Sequence, residues 1–308
     1  MNRAVVFSGQ GAQFVGMGKD LAEAFPACRE LYRKADEVLG YSLSALCFAG
    51  PIEELTKSNR CQPAIFLTSM ACLQALAATK AGLAWTGTAG LSLGEWTALH
   101  VAGCLGFEDT LRILAARGQF MQEACEERAG GMVSVIGLAD DRLREVCEKA
   151  GVEIANLNSP DQTVLSGAKE RIEEAVRFAN EAGAKKTVVL NVAGAFHSSL
   201  MASAAKKLES LLSTMVFQPA AFPVLSNATG QPHGDPAAIR REMVRQVTNS
   251  VRWISCVQWL KQQGVTEYVE CGPGRILTGL VKRMDGGAQL HNVQDKPSLD
   301  KVAAALVG

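Results

Sequence analysis

The run Thr86-Gly87-Thr88-Ala89-Gly90-Leu91-Ser92-Leu93-Gly94-Glu95-Trp96 decides how the rest of the chain is read. Residues 86–91 have the texture of a strand and 94–103 that of a helix, so Ser92 falls at the turn between them, inside a G-x-S-x-G pattern spanning 90–94. Such an elbow forces its serine into a strained backbone conformation, and glycine on both sides removes the clash. The hydroxyl is lifted out of the sheet and set at a helix N-terminus, where backbone N–H groups and the helix dipole favour developing negative charge. Those conditions suit an acyl-transfer nucleophile. A plain turn of small residues fits the same letters; the flanking strand and helix favour the elbow.

Outward from this point, short apolar runs alternate with amphipathic stretches, the pattern of helices laid on a largely parallel sheet, and the fold class is α/β. Strands are predicted at 4–7, 86–91, 222–226 and 266–270, and helices at 63–78, 94–103, 108–126, 198–215 and 237–248. Between them the texture changes. Strands at 132–138, 152–156, 163–166 and 186–190 and helices at 140–150 and 170–182 follow the order βαββαβ, a ferredoxin-like unit. The expected organisation is a large hydrolase-like α/β subdomain with a central parallel sheet, residues 1–127 and 194–308, carrying a ferredoxin-like insert at 128–193.

Composition narrows the functional classes. With 308 residues, 48% of them apolar, the chain can bury a substantial core. Its 31 basic and 31 acidic residues leave no net field to attract nucleic acid or an anionic membrane. The segment Met1-Asn2-Arg3-Ala4-Val5-Val6-Phe7-Ser8-Gly9 reads as a first strand, not a signal peptide, and charges such as Arg60, Lys80 and Glu95 interrupt the richest apolar regions, so no membrane span is expected. Nine scattered cysteines, without a Cys-x-x-Cys pair or a histidine at zinc-ligand spacing, point to a reducing cytoplasm, buried thiols and no metal.

A serine nucleophile needs a base. Of four histidines, His100 lies eight residues past Ser92 on the same helix, more than two turns away and out of reach. His233, in a turn-like Gly- and Pro-rich segment, reads as solvated, and His291 follows a late apolar stretch. His197, in Gly194-Ala195-Phe196-His197-Ser198, stands after a strand and before a helix, the same kind of edge that carries Ser92. It is the leading candidate, with a hydrogen-bonded loop histidine as the alternative. Gly9-Gln10-Gly11-Ala12-Gln13 follows the first strand, and its glycines let backbone N–H groups approach a ligand; it lacks the spacing of a dinucleotide fingerprint and the Gly-Lys-Ser/Thr of a P-loop.

These segments, in order, resemble the malonyl-CoA:acyl carrier protein transacylase family, and the likeness runs nearly end to end. It includes Gly9–Gln13, Ser92-Leu93-Gly94-Glu95, Arg117-Gly118 with Met121-Gln122, Asn156-Leu157-Asn158-Ser159-Pro160, Gly194–Ser198, Arg245-Gln246, Val251-Arg252-Trp253 and Glu270-Cys271-Gly272-Pro273-Gly274. The resemblance implies that Ser92 is acylated, that His197 is its base, and that the main-chain N–H groups of Gln10 and Leu93 hold the oxyanion. It further implies that the main-chain carbonyl of Gln246 orients His197, and that Arg117 grips the malonyl carboxylate with a guanidinium fork. Phe196 would fill the space an α-methyl group needs, and Asn156 and Asn158 are candidates for contact with the pantetheine of coenzyme A. The implied substrate is malonyl-CoA, the implied partner an acyl carrier protein, and no cofactor is required. Basic pairs at Lys185-Lys186, Arg240-Arg241 and Lys282-Arg283 are candidate docking sites for an acidic carrier.

The chain departs from the family pattern at three places: Leu91 stands where histidine is frequent, and Ser8 and Ser199 where proline is. None of these removes a catalytic group. Supply of a polyketide synthase in place of fatty-acid synthesis is the alternative pathway. A serine esterase or thioesterase, which would keep its histidine late in the chain at His291, and a non-catalytic carrier-binding module are the rival classes.

Overall fold

The computed structural model of the chain describes residues 2–306. Its first elements are β1 (Arg3–Phe7), α1 (Lys19–Ala24), α2 (Pro26–Leu39), α3 (Leu43–Ala49), α4 (Ile52–Thr56), α5 (Ser58–Thr79), β2 (Gly87–Gly90), α6 (Leu93–Val101) and α7 (Phe107–Glu127). There follow β3 (Gly130–Ile136), α8 (Asp140–Ala150), β4 (Glu153–Ser159), β5 (Gln162–Ala168), α9 (Lys169–Glu181) and β6 (Lys186–Val189). A 3-10 turn (Ser199–Met201) leads into α10 (Ala202–Leu212), then α11 (Pro236–Arg245), α12 (Trp253–Gln262), β7 (Glu267–Cys271), α13 (Ile276–Met284), β8 (Gln289–Val293) and α14 (Lys296–Ala305). Contacts divide the chain into two units, Met1–Gly118 with Val216–Leu225 and Gln258–Gly308, and Gln119–Met215 with Ser226–Val257.

In the first unit the strands lie in the order β2-β1-β7-β8, and every neighbouring pair is parallel. All five residues of β1 and of β7 are buried, as expected for strands covered on both faces. Charged side chains interrupt both apolar runs: Arg3 of β1 pairs with Glu267 of β7, and the Glu270 carboxylate accepts the N–H of Leu277 at 3.0 Å and of Thr278 at 2.8 Å, satisfying donors that the first turn of α13 cannot pair internally. Burial pushes this carboxyl above the usual range, and those N–H groups oppose the shift.

Among the described residues α5 is long and apolar enough to cross a membrane by length and composition, contrary to the count made from sequence. Yet 78% of its apolar window is buried inside the protein, so it is a core helix. It starts at Ser58, five residues before the expected Pro63, so that this proline lies inside the helix. Where α7 crosses it, a Cβ at Gly118 would collide with the backbone of Ser58 and Asn59. That glycine lets the two helices touch, and the residue before it is Arg117.

The second unit holds the antiparallel sheet β4-β5-β3-β6, the strand order of a ferredoxin-like fold. Val133, Val135 and Leu165 from its strands pack against Leu143 and Val146 of α8 and Ile172 and Ala175 of α9. This unit is wider than residues 128–193, since it also takes in α10 and α11.

Two predicted elements need correction. Residues 222–226 form no strand: Val224 makes a single bridge to Thr88, and Pro223, which has no N–H to donate, stops a longer ladder. The helix expected over 198–215 is split, because the Ser198 hydroxyl accepts the Leu200 N–H at 3.3 Å and starts a separate turn.

Candidate active site

Ser92 has φ 53° and ψ −104°, and among the described residues only Ser92 and His197 combine a positive φ with a side chain. The strain at Ser92 follows from its place between β2 and the first residue of α6. A Cβ on Gly90 would be driven into the Gly94 carbonyl, and one on Gly94 into the main chain of Phe7. Both elbow glycines are therefore required sterically. Leu91 N–H donates to Phe7 O at 3.0 Å, and a Cβ on Gly9 would lie 2.6 Å from Leu91 O, so the segments leaving β1 and β2 run side by side. This places the main chain of Gln10 beside the elbow. Leu93 is the first helical residue of α6, whose N–H has no acceptor within the helix. The Gln10 side chain donates to Ser58 Oγ at 3.2 Å.

Arg117 is only 1% exposed. Its Nη1 donates to Gln62 Oε1 at 2.7 Å and its Nη2 to Ser92 Oγ at 3.2 Å. Burial pulls the guanidinium down to about 10, with the charge of Glu95 opposing, so it stays cationic at neutral pH. Gln62 was missed by sequence reasoning. Its one signal is a polar residue within the apolar run of α5, where it is buried.

In the second unit, His197 has φ 59° and is 4% exposed. Its Nδ1 lies 2.8 Å from Gln246 O. A carbonyl only accepts, so Nδ1 carries the proton and Nε2 is the acceptor nitrogen of the neutral ring. Gln246 caps the C-terminus of α11, where carbonyls lack internal partners and the dipole is negative, a setting that favours the imidazolium when Nε2 takes a proton. Phe196 is 7% exposed. Asn156 and Asn158 lie on β4, where the register shifts twice, and Asn156 bridges Val251. A cleft of about 460 Å³ in this unit is lined by His197, Glu153, Arg144, Arg245, Ser250 and Arg252, among others.

The other histidines are engaged elsewhere. His100 Nδ1 meets Leu105 O at 2.9 Å, and burial holds its pKa below the usual value, the Leu105 carbonyl opposing. His233 is not solvated: its side chain is buried, with Nδ1 2.8 Å from Glu242 Oε2, because α11 turns that carboxylate toward the loop. His291 lies on β8, three strands from β2 and so about 14 Å across the sheet, and its Nε2 is 3.0 Å from the Glu267 carboxylate. That position removes the esterase alternative's base.

A strained elbow serine whose hydroxyl accepts from a buried guanidinium is an acyltransferase type of site. The acyl transferase domain family model matches residues 4–295. The malonyl CoA-acyl carrier protein transacylase of Bacillus subtilis (strain 168) is 39% identical over 96% of this chain and 95% of its own length. That of Escherichia coli (strain K12) is 41% identical over 91% and 92%. Among solved structures, the malonyl CoA-acyl carrier protein transacylase of Coxiella burnetii superposes with a TM-score of 0.96 at 33% identity, covering 100% of this chain and 98% of that one. A malonyl-transacylase in complex with its type II PKS acyl-carrier protein gives 0.95 at 39% identity, covering 99% and 100%. The chain belongs to the malonyl CoA-acyl carrier protein transacylase family.

Proposed function

We propose that the protein moves a malonyl group from coenzyme A to the pantetheine thiol of an acyl carrier protein, in the cytoplasm, by a ping-pong reaction through malonyl-Ser92. The observation that carries this reading is the buried Arg117 guanidinium donating to Ser92 Oγ, a cation placed where a carboxylated acyl group would arrive.

Ser92 Oγ attacks the thioester carbonyl while its proton passes to His197 Nε2. The Gln10 and Leu93 N–H groups receive the oxyanion, the C–S bond breaks, and His197 returns the proton to the departing coenzyme A sulfur. The carrier thiol then gives its proton to Nε2, its sulfur attacks the ester, and Ser92 leaves with the proton restored. Gln246 O holds the ring throughout. Arg117 binds the malonyl carboxylate, which would otherwise be costly to desolvate, and so fixes the acyl group for both attacks. The Phe196 ring disfavours an α-methyl group, a discrimination limited to about 1–3 kcal/mol. Asn156 and Asn158 serve the pantetheine arm, and the chemistry needs no metal or redox cofactor.

The malonyl group supplies fatty-acid synthesis. Supply of a polyketide pathway is the second reading, favoured by the type II PKS partner of the solved relative and by 38% identity, over 91% of this chain, to a Burkholderia thailandensis polyketide biosynthesis protein, of which it spans 24%. Malonyl-, methylmalonyl- and acetyl-CoA compared for transfer to a carrier protein, with Arg117→Ala as control, test the proposal. Malonyl transfer should dominate and the variant should lose that preference. Retained preference would remove the carboxylate clamp, and absence of a malonyl adduct on Ser92 by mass spectrometry would remove the mechanism.

A further inference from the structure

The left-handed backbone of His197 persists only because neighbouring groups fix it. Gln246 O holds the ring from one side. On the other, the chain leaves His197 through Ser198, whose Oγ donates to Ala195 O at 2.6 Å, and reaches Ser199 at the start of the 3-10 turn. There the Glu153 carboxylate, at the first residue of β4, collects three interactions from one residue. Ser199 N–H donates to Oε1 at 3.0 Å and to Oε2 at 3.2 Å, and Ser199 Oγ donates to Oε1 at 2.6 Å. Hydrogen bonds to a charged acceptor are the stronger kind, and this one ties the histidine loop to a sheet. Glu153 and His197 line the same cleft.

We propose that Glu153 is a positioning residue for the transfer reaction: by gripping Ser199 it fixes the backbone of His197, and through it the direction in which Nε2 points. The inference rests on the reading of His197 as the base. Ser199 is what makes the grip possible, since a proline there would offer neither donor. A serine at this position therefore brings with it a dependence on the carboxylate that a proline would not.

The test measures single-turnover acylation of Ser92 by malonyl-CoA, KM and Tm for Glu153→Ala, Glu153→Gln, Ser199→Pro and the double variant Glu153→Ala/Ser199→Pro. Glu153→Ala should slow acylation roughly tenfold, the scale of a sub-ångström misplacement, with KM and Tm held. Glu153→Gln, whose Oε1 still accepts, should recover most of the rate. Ser199 is the first residue of the 3-10 turn, where proline's fixed φ is tolerated, so Ser199→Pro removes the donors without breaking the turn. In that background Glu153→Ala should cost less than about twofold, because the two residues act as one unit. An unchanged rate in Glu153→Ala, a loss that tracks a fall in Tm, or the same tenfold loss in the Ser199→Pro background would each overturn the proposal. Absence of malonyl-Ser92 in the unsubstituted enzyme would instead strike the underlying reading.

Discussion

Arg117 serves two acceptors at once, Gln62 from Nη1 and Ser92 from Nη2, with the rigid spacing of its fork. Arg117→Lys should therefore lower kcat/KM for malonyl-CoA by roughly a hundredfold, the cost expected when a bidentate, buried contact is reduced to a single point charge; steady-state assays that left it within a few-fold of the parent would count against the fork. Arg117 was singled out only by the family resemblance, but Ser92 and His197 were legible because their motifs are local: an elbow around Ser92 and an edge around His197. Gln62 was not, because its role depends on two helices crossing at Gly118, a contact no local pattern encodes. The burial of His233 escaped for the same reason, its partner being supplied by α11.

Among the elements expected from sequence, α8 is observed at the expected 140–150, and β3, β5 and α9 have shifted ends. The edge strand β8, whose Gln289-Leu290-His291-Asn292 carries little apolar signal, was not read at all, and neither were the helices α1 to α4 and α12 to α14. Leu143 is the test of the α8 packing. It is nearly fully buried against the antiparallel sheet, and Leu143→Ala should cost about 2–5 kcal/mol in urea unfolding. The pairing of α11 to its preceding loop is open to a pH test. Burial alone would raise the Glu242 carboxyl, but His233, Ser226 and Arg245 outweigh it and hold the group below its ordinary 4.5. A depressed carboxyl contributes stability that is whole above the unfolded value and is lost as pH falls through the folded one. The Tm advantage of the parent over Glu242→Gln should therefore shrink as pH falls below about 4.5; a gap that widened there would contradict the pairing.

Across the whole molecule, all nine cysteines are free and eight are buried, as the scattered spacing led one to expect. Cys147 is the half-buried one, and burial, with Glu153 and Glu148, pushes its thiol up to about 11. Titration with a thiol reagent near pH 8 should thus give a slow fraction of one equivalent in the folded protein and nine equivalents in denaturant; rapid reaction of several thiols before unfolding would contradict the burial. The α/β class and the ferredoxin-like order were visible in the sequence, whereas the reach of the second unit beyond residues 128–193 depends on long-range contacts made by α10 and α11. Last, the partner of the His197 ring is a peptide carbonyl at the end of α11. Every amino acid carries that oxygen, so no codon change at position 246 deletes it, and Gln246→Ala should keep most of the acylation rate. This acceptor is inherited with the helix end, not with a side chain, which shields it from the point mutations that can disable a carboxylate in the same place.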